Sequence, residues 1–309
     1  MPVFGYDEEP PNYGYLYLDA FQRDTDAWEL ASSGSSLTCA FRDEFYSDQY
    51  GGLLSLSAAL YRVFSPYSHR PLLIVILTAF FSALGLPFFD SIIRKQWGNR
   101  IADICSWIYV LYPESVILGA SQMREPILIG LSALLLWSLF RWADNKKSSI
   151  TASILCVIGL VFISVKAAGA IIFTAFLYYW LVYLGPKLSN RLRFLSLLFL
   201  LIILGAGLFA SWGWFVDSSI WDLYLMESAS GRIQWELELI GKRFRTPFIV
   251  AYGILQPVLP ATIVYPGIPI MRAISIFRAL GWYALLPTLL TSSILVWRTK
   301  KIEKKGIIF

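Results

Sequence analysis

The sequence predicts an all-α integral membrane protein with about seven transmembrane helices and an extracytoplasmic N-terminal loop that contains interfacial helices. Hydrophobic residues make up 57% of its 309 positions, and the mean hydropathy is +0.59. Charged residues make up only 15%, whereas soluble domains carry about 25%. Apolar runs without charge recur along the chain, and several are long enough to cross a bilayer. These observations together favour a polytopic membrane protein.

Seven segments are predicted to cross the membrane. Five are charge-free runs, at 71–89, 148–165, 167–186, 194–216 and 279–297. Two further segments, 101–120 and 126–142, are mainly apolar, but the first contains Asp103, Pro113 and Glu114. The run 52–64 is too short to span and is predicted to form an interfacial amphipathic helix.

One further apolar run is assigned to a loop. The stretch 246–271 is free of charge, but prolines interrupt it repeatedly, and the interior of a regular helix does not accept them. Counting it as a span would also move the basic C-terminal tail to the opposite face. We therefore assign it to an extracytoplasmic loop that lies on, or dips into, the membrane surface.

Basic residues set the predicted orientation. With seven spans, the basic loops 91–100, 141–147 and 187–193 and the basic C-terminal tail fall on one face, which the positive-inside rule makes cytoplasmic. The chain then divides into four parts: an extracytoplasmic first loop with interfacial amphipathic helices at 1–70, a bundle of about six spans at 71–216, an extracytoplasmic proline-rich loop at 217–278, and a last span with a basic cytoplasmic tail at 279–309.

Soluble enzyme signatures and nucleic-acid binding are not indicated. The three cysteines form no CxxC pair, and with one histidine a zinc site has too few ligands. No Walker motif or GxGxxG stands between a strand and a helix. The net charge of +5 comes from basic residues scattered through short loops, which is typical of membrane topology and not of a nucleic-acid-binding arm.

The predicted outer face gathers the polar residues that could carry chemistry. The first loop contains acids in RDTDAW and RDEFYSDQYGG: Asp24, Asp26, Asp43, Glu44 and Asp48. The second outer loop contains SQMREP, and the late loop contains SGRIQW and GKRFRTP; their charged residues are Arg124, Glu125, Arg232, Lys242, Arg243 and Arg245. A carboxylate at the bilayer surface can act as a general base or bind a divalent cation. Basic side chains there can hold a phosphate, so the combination indicates transfer chemistry on a lipid-linked phosphate.

The order of these motifs points to a family. The acidic stretch DTDAWELA is followed by an interfacial helix, a span, a basic cytoplasmic turn and a helix that ends YPES…GASQMREP. This order resembles the GT-C superfamily of membrane glycosyltransferases, in the branch of protein O-mannosyltransferases and lipid A aminoarabinose transferases. The resemblance covers residues 15–145 well and the later helices in general architecture. Because that family has a transmembrane helix before its first outer loop, the resemblance predicts that this chain is a fragment lacking that helix.

The resemblance implies an activity and a site. The family transfers a sugar, with inversion, from a polyprenyl-phosphate donor to an acceptor hydroxyl outside the plasma membrane, here expected to be prokaryotic. Its first outer loop has a catalytic aspartate, followed four residues later by an aromatic residue and then by alanine. Asp24, with Trp28 and Ala31, fits this spacing, and Asp26 is the alternative. Glu125 occupies the place of a second acid in the next outer loop.

The donor phosphate would be held by basic residues. By resemblance, the candidates are Arg124, Arg232, Lys242, Arg243 and Arg245. No cofactor or metal is required, because basic side chains can hold a monophosphate leaving group, although a divalent cation is compatible with the acids. The expected partners are the polyprenyl-phosphate sugar, membrane lipids and an acceptor that the sequence does not identify.

Each candidate also has a structural interpretation. Asp24 and Asp26 could be N-caps of a surface helix that starts near Ala27. Glu125, directly before a proline, is typical of a helix start. The late basic residues could contact anionic headgroups. The other first-loop acids, among them Asp48, are interpreted mainly as solvated loop charges.

The alternative function is a non-enzymatic polytopic membrane protein, such as a transporter or lipid flippase. Transporters bind their substrates at polar sites near the bilayer midplane, between broken helices. In this chain the predicted mid-span segments are nearly free of ionisable groups, and the polar residues gather at one face. This asymmetry favours the enzyme.

Overall fold

The computed structural model of the chain describes residues 18–42 and 50–210, together with Tyr15, Asp48 and scattered positions between 272 and 291. Every regular element in this part of the chain is helical, and no strand occurs in it. The predicted all-α class is therefore confirmed. The chain falls into two compact units, of which the first comprises Met1–Trp180 and Lys304–Phe309 and the second Leu181–Glu303.

The first unit begins with a small helical layer. Helix α1 (Leu18–Ser32), a short 3-10 helix (Leu37–Phe41) and helix α2 (Gly52–Phe64) pack together. The bounds of α2 confirm the helix predicted at 52–64. A cluster of buried apolar side chains joins the three helices to the start of the next one: Ala27, Leu30, Ala40, Leu54, Ala58, Tyr61 and Ile74.

An arginine and a glycine hold these three helices together. The Arg62 guanidinium on α2 donates to the carbonyl oxygens of Leu30 (2.7 Å), Ala31 (3.3 Å) and Ser35, and thereby satisfies backbone acceptors at the C-terminal end of α1. Gly51 precedes α2 with φ +67, and a side chain there would meet the backbone of Ala40. The layer thus depends on one arginine and one left-handed glycine.

Three described helical stretches are long and apolar enough to cross a membrane. They are Leu72–Trp97, Lys146–Ile163 and Val165–Lys187. The first two are helices α3 and α7, and the third begins as α8 (Val165–Tyr179) and continues through a π turn and a 3-10 turn. They correspond to the runs predicted at 71–89, 148–165 and 167–186, and they support the expectation of a membrane protein.

The other predicted spans have different outcomes. The segment 101–120 is not one helix, because it divides into α4 (Asn99–Leu111) and α5 (Pro113–Gly119). Tyr112 between them has an extended ψ of 114, the conformation that a following proline imposes. The segment 126–142 forms α6 (Glu125–Phe140), a shorter apolar helix of 16 residues.

The second unit is described only in part. Helix α9 (Asn190–Ala210) begins before the run predicted at 194–216. The end of that run, the whole predicted loop 217–278 and most of the predicted span 279–297 lie outside the described residues.

Helices α3 and α6 pack closely against each other. A Cβ atom on Gly130 of α6 would collide with the backbone carbonyl of Phe81 on α3, so the two backbones meet where α6 has no side chain. Such small residues are typical of helix interfaces in membranes. A second buried cluster joins α6, α7 and α8: Leu135, Leu139, Cys156, Leu160, Ala168 and Ala175.

Large apolar side chains also cover the outward faces of the bundle. On α7, Ile154 and Ile158 lie one turn apart and are 54% and 61% exposed. On α3, Ile76 and Phe80 repeat the same spacing at 58% and 57% exposed. Stripes of this size are costly in water but suit contact with lipid chains, in agreement with the membrane class.

The basic residues near the C-terminal ends of α3 and α6 lie at one end of the bundle. Lys95 Nζ, near the end of α3, is 2.5 Å from Asp144 Oδ2, in the turn after α6. Arg94 pairs with Asp90 and Asp103 at 2.8 Å each. Because α3 and α6 both finish at this basic end, they run parallel, and both begin at the opposite end. The predicted clustering of these two basic loops on one face is consistent with this geometry.

Candidate site around Asp24

Asp24 lies in the middle of α1, at the end of the bundle opposite the Lys95–Asp144 pair. Helix α1 starts at Leu18, several residues before the predicted start near Ala27. The N-cap interpretation of Asp24 and Asp26 is therefore wrong, because a cap precedes its helix. Helical spacing instead places Trp28 one turn after Asp24 on the same face.

Three donors surround the Asp24 carboxylate. The Tyr15 hydroxyl donates to Oδ2 (2.6 Å), the Tyr61 hydroxyl donates to Oδ1, and His69 Nε2 lies 2.7 Å from Oδ2. The Asp24 side chain is 0% exposed. A buried carboxylate is costly unless its oxygens are hydrogen-bonded, and these three groups supply the bonds.

Aromatic rings hold the histidine against this carboxylate. The Trp28 ring stacks on the His69 imidazole with centroids 5.3 Å apart and an interplanar angle of 18°. The Tyr61 ring meets the same imidazole edge-on at 5.4 Å and meets Trp28 edge-on at 5.5 Å. Because α1, α2 and the segment before α3 each contribute a ring, the position of His69 depends on the assembled layer.

The two tyrosines are held in the neutral form. Burial raises the pKa of Tyr61 far above its ordinary value, and the charge of Asp24 and the hydrogen bond to it raise the pKa further. Burial and the charge of Asp24 likewise raise the pKa of Tyr15. A phenolate facing the Asp24 carboxylate would put two negative charges side by side, so both phenols remain donors.

We expect the stability of this layer to fall at alkaline pH. An unfolded tyrosine loses its proton near pH 10, whereas the buried phenols keep theirs while folded. The folded state then binds more protons, so stability is complete below pH 10 and falls as the pH rises above it. Thermal unfolding between pH 8 and 11 measures the slope, and Tyr61→Phe should reduce it. Identical slopes in the two proteins would contradict the expected linkage.

Arg23 connects α1 to the second outer loop. Its Nη1 donates to the carbonyl oxygen of Gln122 (3.0 Å) and lies 3.7 Å from the sulfur of Met123. Gln122 Nε2 donates in turn to the carbonyl oxygen of Pro71 (3.0 Å), and the Thr78 hydroxyl donates to that of Ser121 (2.9 Å). The loop is therefore fixed against both α1 and α3.

Arg23 is buried without a counter-charge in the described part of the chain. The residue is 7% exposed, and its Nε has no hydrogen-bond partner there. None of the ion pairs among the described residues includes it. A buried guanidinium with one backbone acceptor is electrostatically incomplete, so this position can accept an anion.

Arg124 and Glu125 follow directly in the same loop. The Arg124 guanidinium lies over the Tyr50 ring, 4.9 Å from its centroid, and its Nε is 3.9 Å from Glu125 Oε1. Glu125 is the first residue of α6, which confirms the helix start predicted there. Its Oε2 is buried and has no hydrogen-bond partner among the described residues. Both residues thus lie next to the loop that Arg23 contacts.

The remaining predicted residues are placed elsewhere or fall outside the described residues. Asp26 is half-buried on α1 and is not one of the Asp24 partners. Asp48 is not a solvated charge, because it is 4% exposed and its Oδ2 accepts from the Leu54 backbone N (3.1 Å) near the start of α2. Six residues lie outside the described part: Asp43, Glu44, Arg232, Lys242, Arg243 and Arg245.

Four residues of the site were not predicted from the sequence. They are Tyr15, Arg23, Tyr61 and His69. His69 carried one signal, as the single histidine of the chain, but nothing in its local sequence connects it to Asp24. Within the described residues, no three histidine, cysteine or acidic side chains gather as metal ligands would.

Comparison of the chain with protein-family models, with curated proteins and with solved structures gave no match.

Proposed function

We propose that this chain forms part of a membrane glycosyltransferase that moves a sugar from a polyprenyl-phosphate donor to an acceptor hydroxyl. The observation that carries the proposal is a buried arginine, Arg23, that has no counter-charge among the described residues and lies next to a buried carboxylate, Asp24, at the end of the bundle away from the Lys95–Asp144 pair. A phosphate-binding cation and an acid are the two groups that this reaction needs.

The cations would hold the donor phosphate. Arg23 gains a counter-charge when a phosphate binds, so the cost of burying its guanidinium becomes binding free energy for that anion. Arg124 lies beside the loop carbonyl that Arg23 contacts and is half-buried at the start of α6. As the sugar leaves, negative charge grows on the phosphate, and preorganised cations stabilise it. The late basic residues at 232–245 remain further candidates.

An acid would promote removal of the proton from the acceptor hydroxyl. Inversion requires that the acceptor oxygen attack the anomeric carbon while the phosphate leaves from the opposite side. Asp24 supplies the negative charge for this step, and Asp26 and Glu125 are the other candidates. The leaving group is a monophosphate that the arginines can hold, so the step requires no metal.

The membrane arrangement is part of the proposal. Placing the basic end of the bundle in the cytoplasm puts Asp24 and Arg23 at the extracytoplasmic surface of a plasma membrane. The starts of α3 and α6 then lie near the headgroups, where a polyprenyl phosphate presents its charge. Seven spans in total, a prokaryotic source and a role in cell-envelope glycosylation follow from the resemblance to GT-C enzymes.

The chain should bind polyprenyl phosphate, the product common to all such donors. We expect undecaprenyl phosphate to bind the purified chain in nanodiscs, and Arg23→Gln to weaken binding about 10- to 100-fold, the worth of one or two charge-assisted bonds. With a panel of undecaprenyl-phosphate sugars and envelope acceptors, mass spectrometry should detect released undecaprenyl phosphate. Asp24→Asn should slow that release by about 10²–10⁴, the usual contribution of proton transfer.

Matched controls separate this result from general damage. Arg141→Gln and Asp144→Asn make the same changes at the basic end, where Arg141 lies over the Trp137 ring and Asp144 pairs with Lys95; both should leave binding and release unchanged. Full activity in both Asp24→Asn and Asp26→Asn would reject the assignment of the acid. Movement of a labelled polyprenyl-phosphate sugar between leaflets without loss of its sugar would instead establish a flippase.

A further inference from the structure

The Asp24 carboxylate is enclosed too completely to touch an acceptor. Its side chain is 0% exposed and is bonded to Tyr15, Tyr61 and His69. A carboxylate has about four acceptor positions, and three of them are filled by donors from three segments of the chain. An acceptor hydroxyl would have to displace one of these donors before it could reach an oxygen. The His69 side chain beside Asp24 is more accessible.

We propose that His69 accepts the proton of the acceptor hydroxyl and that Asp24 is the residue that positions it; this assignment rests on the proposed glycosyl transfer. The His69 side chain is 31% exposed while its Nε2 lies 2.7 Å from the buried Asp24 Oδ2. Nδ1 makes no hydrogen bond within the described part of the chain. His69 thus joins a buried acid to the surface.

The donors around Asp24 determine which nitrogen is basic. An ionised carboxylate only accepts hydrogen bonds, and the two tyrosine hydroxyls already donate to it. Nε2 of His69 must then carry a hydrogen and donate it to Asp24. In the neutral imidazole the other nitrogen, Nδ1, keeps its lone pair and can take a proton. An acid that fixes the tautomer of a histidine in this way is a recurrent arrangement in proton transfer.

The surrounding rings hold the imidazole in one orientation. Trp28 stacks on one face at 5.3 Å, and Tyr61 contacts it edge-on at 5.4 Å. The face of tryptophan attracts a cation, so Trp28 also stabilises the imidazolium that forms after proton uptake. Both effects favour a ring that changes charge without moving.

The charged and titratable neighbours of His69 are compatible with proton uptake and release by its imidazole. Asp24 on α1 faces Nε2, and Tyr61 on α2 and Tyr15 before α1 face the same carboxylate. Arg70, the next residue, donates its Nε to the Ser68 hydroxyl oxygen (3.1 Å). Asp24 therefore provides the negative charge that balances the imidazolium.

His69 is also connected to the proposed phosphate-binding residue. The carbonyl oxygen of Pro71, two residues later, accepts from Gln122 Nε2, and the carbonyl oxygen of Gln122 accepts from Arg23. Pro71 precedes α3, a candidate membrane span. The proton acceptor and the anion-binding arginine are thus held by one hydrogen-bonded loop at the start of a span.

Glycosyl transfer forms one bond to the anomeric carbon and breaks another. The acceptor oxygen forms a bond to the anomeric carbon, and the bond from that carbon to the phosphate oxygen breaks. The electron pair of the broken bond leaves with the polyprenyl phosphate, which gains one negative charge. The proton of the acceptor hydroxyl goes to Nδ1 of His69, and the resulting imidazolium later releases it to water.

Nuclear magnetic resonance tests the contact between His69 and Asp24 without any substrate. Because the chain has a single histidine, a ¹⁵N-histidine label on protein purified through a histidine-free tag gives one imidazole spectrum. We expect the Nε2–H tautomer at alkaline pH and its loss or mixing in Asp24→Asn. Asp144→Asn, at the basic end, should leave the spectrum unchanged. A spectrum in the unaltered protein that shows the Nδ1–H tautomer would overturn the proposal.

Transfer kinetics test the role of His69 in the reaction. His69→Gln should lower kcat about 10²–10⁴-fold, while undecaprenyl phosphate binding stays within about twofold, since 1.4 kcal/mol corresponds to tenfold. The unaltered protein should lose activity as imidazole becomes protonated, and His69→Gln should lack that acidic limb. Added imidazole should partly restore transfer in His69→Gly.

The outcomes distinguish this inference from the proposed function. Transfer by the unaltered protein, with an equal rate and the same acidic limb in His69→Gln, would overturn the role of His69 and leave the glycosyltransferase intact. Failure of the unaltered protein to transfer any sugar from the panel would reject the proposed function, and the role of His69 with it.

Discussion

Replacing Asp24 by leucine is expected to detach α1 from α2 and from the segment before α3. Leucine removes the acceptor of the Tyr15, Tyr61 and His69 donors at once. A buried donor left without a partner costs about 1–3 kcal/mol, and breaking a buried charged network typically costs about 3–5 kcal/mol. Hydrogen exchange of the α1 backbone amides, measured in nanodiscs, should rise by several hundredfold or more, because 1.4 kcal/mol corresponds to tenfold.

Three further variants test whether the loss of the buried hydrogen bonds causes the faster exchange of α1. Tyr61→Phe removes one donor and leaves the carboxylate, so it should have a smaller effect. Asp24→Asn keeps one acceptor oxygen and should also be milder, which is why it is the variant used in the transfer assay. Asp144→Leu removes an exposed acid paired with Lys95 and should leave α1 protected. Unchanged exchange of α1 in Asp24→Leu would show that the buried network contributes little to the layer.

Replacing Gly130 by leucine is expected to prevent α6 from packing on α3. Even a Cβ atom at this position would collide with the Phe81 backbone carbonyl, and a helix backbone cannot move aside as a flexible side chain can. Overpacking commonly costs about 1–3 kcal/mol, and more where the neighbour is rigid. We expect the yield of monodisperse protein in detergent to fall strongly and its melting temperature to drop.

A matched substitution is available on α8. Gly169 has no atom within 4 Å of the position its Cβ would take, so Gly169→Leu introduces the same apolar side chain without a collision. Its yield and melting temperature should stay close to those of the unaltered protein. Equal losses in the two variants would mean that helix propensity or insertion, and not the α3–α6 contact, causes the defect.

The sequence predicted those helices that depend on the length and hydropathy of one segment. Runs of apolar residues identified α3, α7 and α8 because crossing a bilayer depends on length and hydropathy alone. The bounds of α2 at 52–64 and the start of α6 at Glu125 also agree with the sequence prediction. The prediction that 101–120 forms a single span was wrong. Hydropathy does not reflect the backbone restriction that Pro113 places on Tyr112.

The prediction for the start of α1 failed for a different reason. Aspartate is favoured at N-caps, and that propensity suggested a helix beginning after Asp26. In the structure α1 begins at Leu18, because packing against α2 stabilises turns that polar residues alone would not favour. Tertiary contact thus overrode a local preference, as it often does for marginal helices.

The sequence by itself predicted the helical class and the three described segments that suit a membrane, because both follow from local composition and hydropathy. Only the tertiary structure decided what Asp24 can do. Its partners Tyr15, Tyr61 and His69 lie 9, 37 and 45 residues away along the chain, and Arg23 reaches Gln122 across 99 residues. A hydrogen bond depends on distances that only the packed helices set. No local pattern could therefore show that Asp24 is buried or that His69 contacts it.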